Sequence, residues 1–468
     1  MVIRGVAEVL SKVATFAWAV LAARMLTQEE FGAVFYALTV MLLASAPAES
    51  GFDAGVVRRG SADPPILERL YTEAVTWKTV LAVPAFALAA LAALSSGPSA
   101  EEMLVIGIFL LAGFPEMWSH SGRAVSVARQ APSNTATALV FQRVATAVAI
   151  AVALVAGWGV VGVALAFLLG TAAGWVAHEV AIRPLDVHPR VSLLQRGHFT
   201  QMWSRTWMIG VSAMVLMLLF RLDAVLLGAL DGFDAVASYS VAYRLLETVL
   251  FVSFAVNQAI LPVMSATTDV TRIRSAYERG LSVAAFVYLP FAVVCLVEGT
   301  RILDLTFGGD YAQSSAPILN WLVPAPLLYA MAFFGSSVLI SRDLVKGMLL
   351  AAIIATVANV GLNLWLIPLY SGTGAAVATT VSYAVQAVAT LLIVRHSVTS
   401  MNVVRPLVEA AVASAVLAAV LVVLDLPLLV ELALGGVVYL AAWYVIARRF
   451  APEQLQVIGG ILRRKGSS

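Results

Sequence analysis

A single cysteine, Cys295, in 468 residues excludes an internal disulfide and any cluster of cysteine metal ligands. It stands in an apolar run, where a buried structural thiol is the expected reading. Charge is scarce as well. Only 12% of residues are Asp, Glu, Lys or Arg, about half the usual share of a soluble domain, roughly 25%. A chain that is 61% hydrophobic with so little charge cannot clothe a water-facing surface, so lipid is its solvent. No phosphate-cradling Walker loop is present, which argues against an ATP drive, and nothing calls for a cofactor. A cleavable leader is also missing from the pattern. The first apolar stretch carries Glu8 and Lys12 and has no small-residue cleavage site, so the first helix is expected to stay in the mature chain. The formal net charge of +2 carries little information, because placement matters more than the sum, and no nucleic-acid partner is expected.

What is present is a series of long apolar runs. A helix needs about 20 apolar residues to cross about 30 Å of hydrocarbon. Runs of that length fall at 6–26, 31–51, 73–94, 103–122, 135–156, 159–182 and 203–227, then 236–262, 278–298, 316–340, 346–368, 374–394, 404–424 and 426–447. Their hydrophobicity is continuous rather than alternating, which selects helices over a barrel. The expected fold is therefore all-α, a polytopic membrane protein of about 14 transmembrane helices. Basic residues set its orientation. With the N-terminus inside, the inner loops hold Arg58, Arg59, Arg129, Arg183, Arg272, Arg342 and Arg395, and the tail adds Arg463, Arg464 and Lys465, whereas the outer loops hold only Arg24 and Arg301. By the positive-inside rule both termini are expected in the cytosol and the chain in the inner (plasma) membrane. No outer loop exceeds roughly 20 residues, so an extracytoplasmic catalytic domain has no room.

The chain also echoes itself. Gly157-Trp-Gly-Val-Val-Gly162-Val-Ala-Leu-Ala166 returns as Leu369-Tyr-Ser-Gly-Thr-Gly374-Ala-Ala-Val-Ala378, and Glu29–Ala37 has a weaker echo in Asp234–Ala242, at spacings of 212 and 205 residues. Together they predict two pseudo-symmetric six-helix lobes plus two C-terminal helices. The expected divisions are an N-terminal lobe over 1–182, an amphipathic cytosolic linker over 183–202, a C-terminal lobe over 203–396, and a final pair with its tail over 397–468. Repeated halves are a transporter device, with the substrate between them and rocking motion exposing each side in turn.

Ionisable residues inside spans are costly and mark functional sites by default. Glu116, His120 and Arg123 fall at i, i+4 and i+7 on one face of the fourth span, giving either a titrating pair that couples transport to protons or a satisfied polar stripe near the cytosolic mouth. Glu49 and Asp53, one turn apart and just ahead of Arg58 and Arg59, make either a cytosolic gate or a solvated helix end. Arg143 has no acidic neighbour in sequence and is either a substrate contact or a ligand of backbone carbonyls. Arg221 and Asp223 are two residues apart and face different ways, so Asp223 is expected to neutralise an arginine on another helix. Tyr239 and Tyr243, a turn apart, can stack on sugar rings or simply pack. Asn359 and Asn363 suit inter-helix hydrogen bonds, and Glu8 with Lys12 suits a local salt bridge.

Several stretches carry a resemblance. Ala23-Arg24-Met-Leu-Thr-Gln-Glu-Glu-Phe-Gly32 resembles the first hairpin of Wzx-type polysaccharide flippases, of the multidrug/oligosaccharidyl-lipid/polysaccharide exporter superfamily. Arg221-Leu-Asp-Ala-Val-Leu-Leu-Gly228 with Tyr239–Leu245 resembles their seventh and eighth helices, and Leu305–Tyr311 the short outer segment before the tenth. Asn359–Tyr370 with Gly374–Thr379 is similar to their most specific stretch, except that Ser371 precedes Gly372 where the family usually has glycine directly after the tyrosine. The resemblance covers nearly the whole chain in order. It implies a two-lobed bundle with a hydrated, often cationic cavity. The implied cargo is a polyprenyl-diphosphate-linked oligosaccharide, moved from the cytosolic to the outer leaflet for O-antigen-like surface polysaccharide. Its partners would be membrane lipid and polysaccharide-assembly proteins.

Such a headgroup cannot cross hydrocarbon unpaired, and arginine offers phosphate a planar fork of donors. By the resemblance, Arg24 and Arg244 lie on helices beside the cavity and are candidate diphosphate contacts, with Arg143 third. The bland alternatives are that Arg24 snorkels to the interface and that Arg244 pairs with Glu247, three residues on. A multidrug exporter of the same superfamily is the nearest rival, favouring acids over arginines in its cavity. A major-facilitator carrier matches only weakly around Gly51–Gly60. A membrane glycosyltransferase or polymerase lacks its expected large outer loop or acidic catalytic motif.

Overall fold

A computed structural model of the chain describes residues 2–49, 51–194, 196–424 and 426–450, and the tail residues Arg463, Arg464 and Lys465 lie outside them. Among the described residues the fold is all-α with no strand. In chain order the helices are α1 (Val2–Met25), α2 (Gln28–Glu49), α3 (Phe52–Ala62), α4 (Leu67–Ala93), α5 (Ala100–Ala128), α6 (Pro132–Val155), α7 (Gly159–Ile182) and α8 (Arg196–Asp231). Then come α9 (Phe233–Ser265), α10 (Val270–Phe307), α11 (Gly309–Leu322), α12 (Ala325–Ser341), α13 (Val345–Ser397), α14 (Arg405–Val423) and α15 (Leu428–Phe450).

Twelve segments among the described residues are long and apolar enough to span a bilayer, with α11 and α12 forming one of them. The 53-residue α13 is two crossings merged across Ser371, and α1 supplies a further apolar helix. That accounting returns the expected polytopic architecture of about fourteen spans. Helix starts follow local chemistry. Ser99 and Glu102 form a reciprocal capping box at the head of α5, and Thr27 with Glu30 repeats the arrangement at α2. Asp269 caps α10 by accepting from the Thr271 amide at 2.9 Å.

The helices divide into two compact units. One holds the chain up to Ser240 together with Asn363–Ala375; the other holds Val241–Leu362 and the described chain from Ala376 onward. In the first unit an apolar cluster of Phe52, Val56, Leu67, Tyr71, Val125 and Val187 ties α3, α4 and α5 to the segment after α7. Phe233 sits against α2 there, because Gly32 lets the two backbones meet where a Cβ would land on the Phe233 carbonyl. In the second unit Tyr277, Tyr288, Phe334 and Val338 fill the space between α10 and α12. Leu417, Tyr439 and Trp443 seat α14 and α15 on Phe286. Arg301 adds a polar staple, reaching Glu298 and Glu431 at 2.8 Å each and the Leu426 carbonyl at 2.6 Å. Cys295 lies buried in α10.

The internal repeat shows in backbone detail. α5 ends with Gln130 at φ 58°, the Ala131 amide returning to the Ser126 carbonyl at 2.9 Å. α12 ends with Asp343 at φ 58°, the Leu344 amide returning to the Leu339 carbonyl at 2.9 Å. Both are Schellman caps, at matching points of the two halves. Of the expected linker over 183–202, Arg183–Leu185 and Val191–Leu193 form 3-10 turns, and the part from Arg196 onward belongs to α8. The side chains of 195–202, and that of Glu8, lie outside the described residues.

Ser371 departs from its surroundings. Its φ of 54° with ψ of −137° belongs to a region that glycine tolerates and other residues occupy only under strain. Ser371→Gly is therefore expected to stabilise the protein by about 1 kcal/mol. Thermal unfolding in detergent measures it, and an unchanged or lower midpoint would contradict the strain.

Candidate functional site

The first unit carries a polar network inside its bundle. α5 supplies the hub. Pro115 precedes Glu116, which is only 7% exposed. Its carboxylate accepts from Gln142 Nε2 at 2.6 Å and Arg143 at 2.7 Å, both on α6. One turn along, His120 Nε2 lies 3.6 Å from the same carboxylate, while Nδ1 meets Glu49 Oε1 of α2 at 2.6 Å. Beside this, Asp53 of α3 receives Lys78 Nζ of α4 at 2.5 Å and the Ser121 hydroxyl of α5 at 2.8 Å. Lys78 is fully buried. At the margin the Tyr71 hydroxyl donates to Glu179, and His178 Nδ1 meets the Gly174 carbonyl at 2.8 Å.

Close helix packing makes the hub possible. A Cβ at Gly174 would collide with Gln142, and one at Gly170 with Thr146, so two small residues on α7 let α6 lie flush and aim Gln142 and Arg143 at Glu116. Buried carboxylates and cations are costly unless paired and hydrogen-bonded, and three carboxylates here are each matched by a nitrogen: Glu116 by Arg143, Asp53 by Lys78, Glu49 by His120.

His120 occupies a position that a neutral ring cannot fully satisfy. Each of its nitrogens faces a carboxylate oxygen. A neutral imidazole offers one donor and one acceptor, whereas the imidazolium donates from both sides. A neutral ring can keep the Glu49 bond between α2 and α5 as its Nδ1–H tautomer, so one proton at this ring decides whether the second carboxylate, Glu116, also faces a donor.

The expected site residues separate into groups. Glu49, Asp53, Glu116, His120, Arg123 and Arg143 come together in the first unit. Arg143, expected to bind substrate or backbone carbonyls, is instead held by a carboxylate 27 residues away in sequence. Asp223, 1% exposed, accepts from the Tyr239 hydroxyl at 3.0 Å and from Asn363 Nδ2 at 2.7 Å, well apart in sequence from that network. Arg244, in the second unit, pairs with Glu247 at 2.8 Å. Tyr243 is buried in that unit, and Arg24 is exposed at the end of α1. Sequence reasoning missed Lys78, Ser121 and Gln142. A lysine within an apolar run is as conspicuous as an arginine, and that signal alone would have found Lys78.

Among the described residues, Glu49, Asp53 and His120 offer ligand atoms within 4.8 Å of one another, close enough to hold a metal ion. The Lys78 ammonium already occupies the cation position on Asp53, so the group does not fit a divalent ion.

Comparisons with known proteins agree with this architecture. The sequence model of the family "Polysaccharide biosynthesis protein" matches residues 2–268, and that of MatE matches 209–365. A Haloferax volcanii protein described as "Probable flippase AglR" is 28% identical over 167 residues, which is 34% of this chain and spans about a third (35%) of that relative. Among solved structures, the lipid II flippase MurJ in an inward closed conformation aligns at TM-score 0.79 and 16% identity, covering 96% of this chain and 99% of that one. An inward-facing multidrug resistance MATE family transporter aligns at 0.68 and 16% identity over 83% and 94%. A transporter of the same superfamily from Pyrococcus furiosus aligns at 0.62 and 17% over 85% and 93%. At such identities these structures speak for the fold. The match over more than half the sequence, on a multi-pass helical bundle, places this chain in the polysaccharide biosynthesis protein family.

Proposed function

We propose that the protein moves a polyprenyl-diphosphate-linked oligosaccharide from the cytosolic to the outer leaflet of the plasma membrane by alternating access, with both termini in the cytosol. The observation that carries this reading is the charge network buried in the first unit, centred on Glu116 and His120. An inert membrane anchor gains nothing from such a costly interior, whereas a carrier of an anionic headgroup uses it. Arg24, Arg143 and Arg244 serve as phosphate contacts, Arg143 and Arg244 by exchanging Glu116 and Glu247 for substrate oxygens. Tyr239 and Tyr243 lie along the sugar path.

In this reading His120 couples transport to protons. The charged or titratable groups around it are Glu49 on α2, Asp53 on α3, Lys78 on α4, Glu116 and Arg123 on α5, Arg143 on α6, and His178 and Glu179 on α7. Histidine is the side chain whose charge ordinarily changes near neutral pH, so a proton at His120 is the adjustable charge in this reading.

The test is reconstitution. Vesicles containing the purified protein should transfer a fluorescent lipid-linked oligosaccharide between leaflets, with the rate responding to a proton gradient. His120→Gln should leave a residual rate that no longer responds to that gradient. Gradient dependence that survives the substitution removes His120 from the coupling step. The match to MatE over 209–365 favours drug export as a second reading. Uptake of an organic cation with no lipid transfer would select it.

A further inference from the structure

Three basic side chains stand among the carboxylates of the first unit, and they are not equivalent. Lys78 is held by Asp53 and Arg143 by Glu116. Arg123, on the same face of α5 as Glu116 and His120, lies within the electrostatic reach of Glu116, Asp53 and Glu49, yet forms no ion pair or hydrogen bond among the described residues. It is half-buried, and its nitrogens are not among the buried atoms that lack a partner, so they still reach open space. A guanidinium carries five N–H donors in a fixed fork. Leaving all of them uncommitted inside a bundle is expensive unless something outside the chain completes them.

Arg143 and Arg244 can engage an anion only by exchange. An incoming anion would have to displace Glu116 from Arg143 at 2.7 Å or Glu247 from Arg244 at 2.8 Å. At Arg123 it displaces nothing. The surrounding carboxylates do not repel it strongly, because each already has a nitrogen partner: Arg143, Lys78 and His120. We infer that Arg123 is a further contact for the diphosphate oxygens of the lipid-linked headgroup in the first unit, engaged before any exchange at Arg143, an assignment that rests on the flippase reading. Its fork donates to two oxygens of one phosphate group at once, which a lysine at the same position would not reproduce.

Two probes carrying the shared diphosphate chemistry test this on the full chain in lipid nanodiscs: inorganic diphosphate, and farnesyl diphosphate as a short polyprenyl form. Arg123→Gln should weaken binding of farnesyl diphosphate on the order of 10- to 100-fold, the loss of charge-assisted hydrogen bonds, with Arg123→Lys falling between. Weakening of both probes, or of the lipid probe alone, supports the assignment. Weakening of inorganic diphosphate alone, equal binding by wild type and Arg123→Gln, or no binding of either probe by wild type overturns it. Thermal unfolding provides the second readout. Because Arg123 has no internal partner, Arg123→Gln should leave the midpoint unchanged, and a drop like that of a buried structural residue counts against a binding role. Vesicle assays separate the two levels of the argument. Wild type that transfers lipid-linked oligosaccharide alongside an equally active Arg123→Gln sinks the Arg123 assignment alone, while wild type inactive toward every lipid-linked saccharide sinks the flippase reading.

Discussion

Replacing Glu116 by alanine should cost the protein about 3 kcal/mol or more, because it removes one partner of a buried pair and leaves the Arg143 guanidinium uncompensated. Three groups lose their acceptor together: Gln142, Arg143 and His120. The loss should show as a lowered unfolding midpoint in detergent and as faster amide exchange in α5 and α6. A second substitution distinguishes charge from packing. Glu116→Gln combined with Arg143→Gln takes both charges out together, so it should recover much of the stability while leaving transport impaired. If the double variant is no more stable than the sum of the single losses predicts, the pair is not coupled and the hub is misassigned.

An effect of similar size is expected at Gly32. Its hydrogen faces the Phe233 carbonyl so closely that any Cβ would overlap the backbone oxygen. Overpacking in a core usually costs 1–3 kcal/mol, about that much even where side chains can shift. Here the obstacle is backbone, so Gly32→Ala should cost about 3 kcal/mol, and a larger side chain should abolish the folded protein. Gly361 on α13 supplies the control, since a Cβ there meets nothing within 4 Å, and Gly361→Ala should leave the unfolding midpoint unchanged or slightly raised. Equal behaviour of the two variants would show that α2 and Phe233 do not approach as described.

The bundle was legible in the sequence because hydropathy depends only on composition along the chain. The fourteen apolar runs and the 205–212-residue echo need no knowledge of packing, and Gln130 and Asp343 repeat the same turn in both halves. Local pairs were legible too. Glu116 with His120 and Arg244 with Glu247 sit at helical spacings that determine who can meet. The rest depended on the rotation of one helix against another. Nothing in spacing says that Arg143 turns toward Glu116, that His120 reaches Glu49, or that Lys78 closes on Asp53. The first of these depends on how closely α6 lies on α7 at Gly170 and Gly174, and the other two on how α2 meets α5 and α3 meets α4. Short elements escaped for a related reason. α3 is only 11 residues and too polar to announce itself as a span, and the break between α11 and α12 at Val323 and Pro324 falls inside one continuous apolar run.

Cys295 has a practical consequence. The chain's one thiol is sealed within α10 at 2% exposure, so a water-soluble maleimide added to the native protein finds no competing target at the surface. Reporter cysteines can then be placed one at a time along α2 or α5 without first stripping the background. Their labelling rates, followed as a proton gradient is imposed and removed, would test the proposed opening and closing of the bundle in real time.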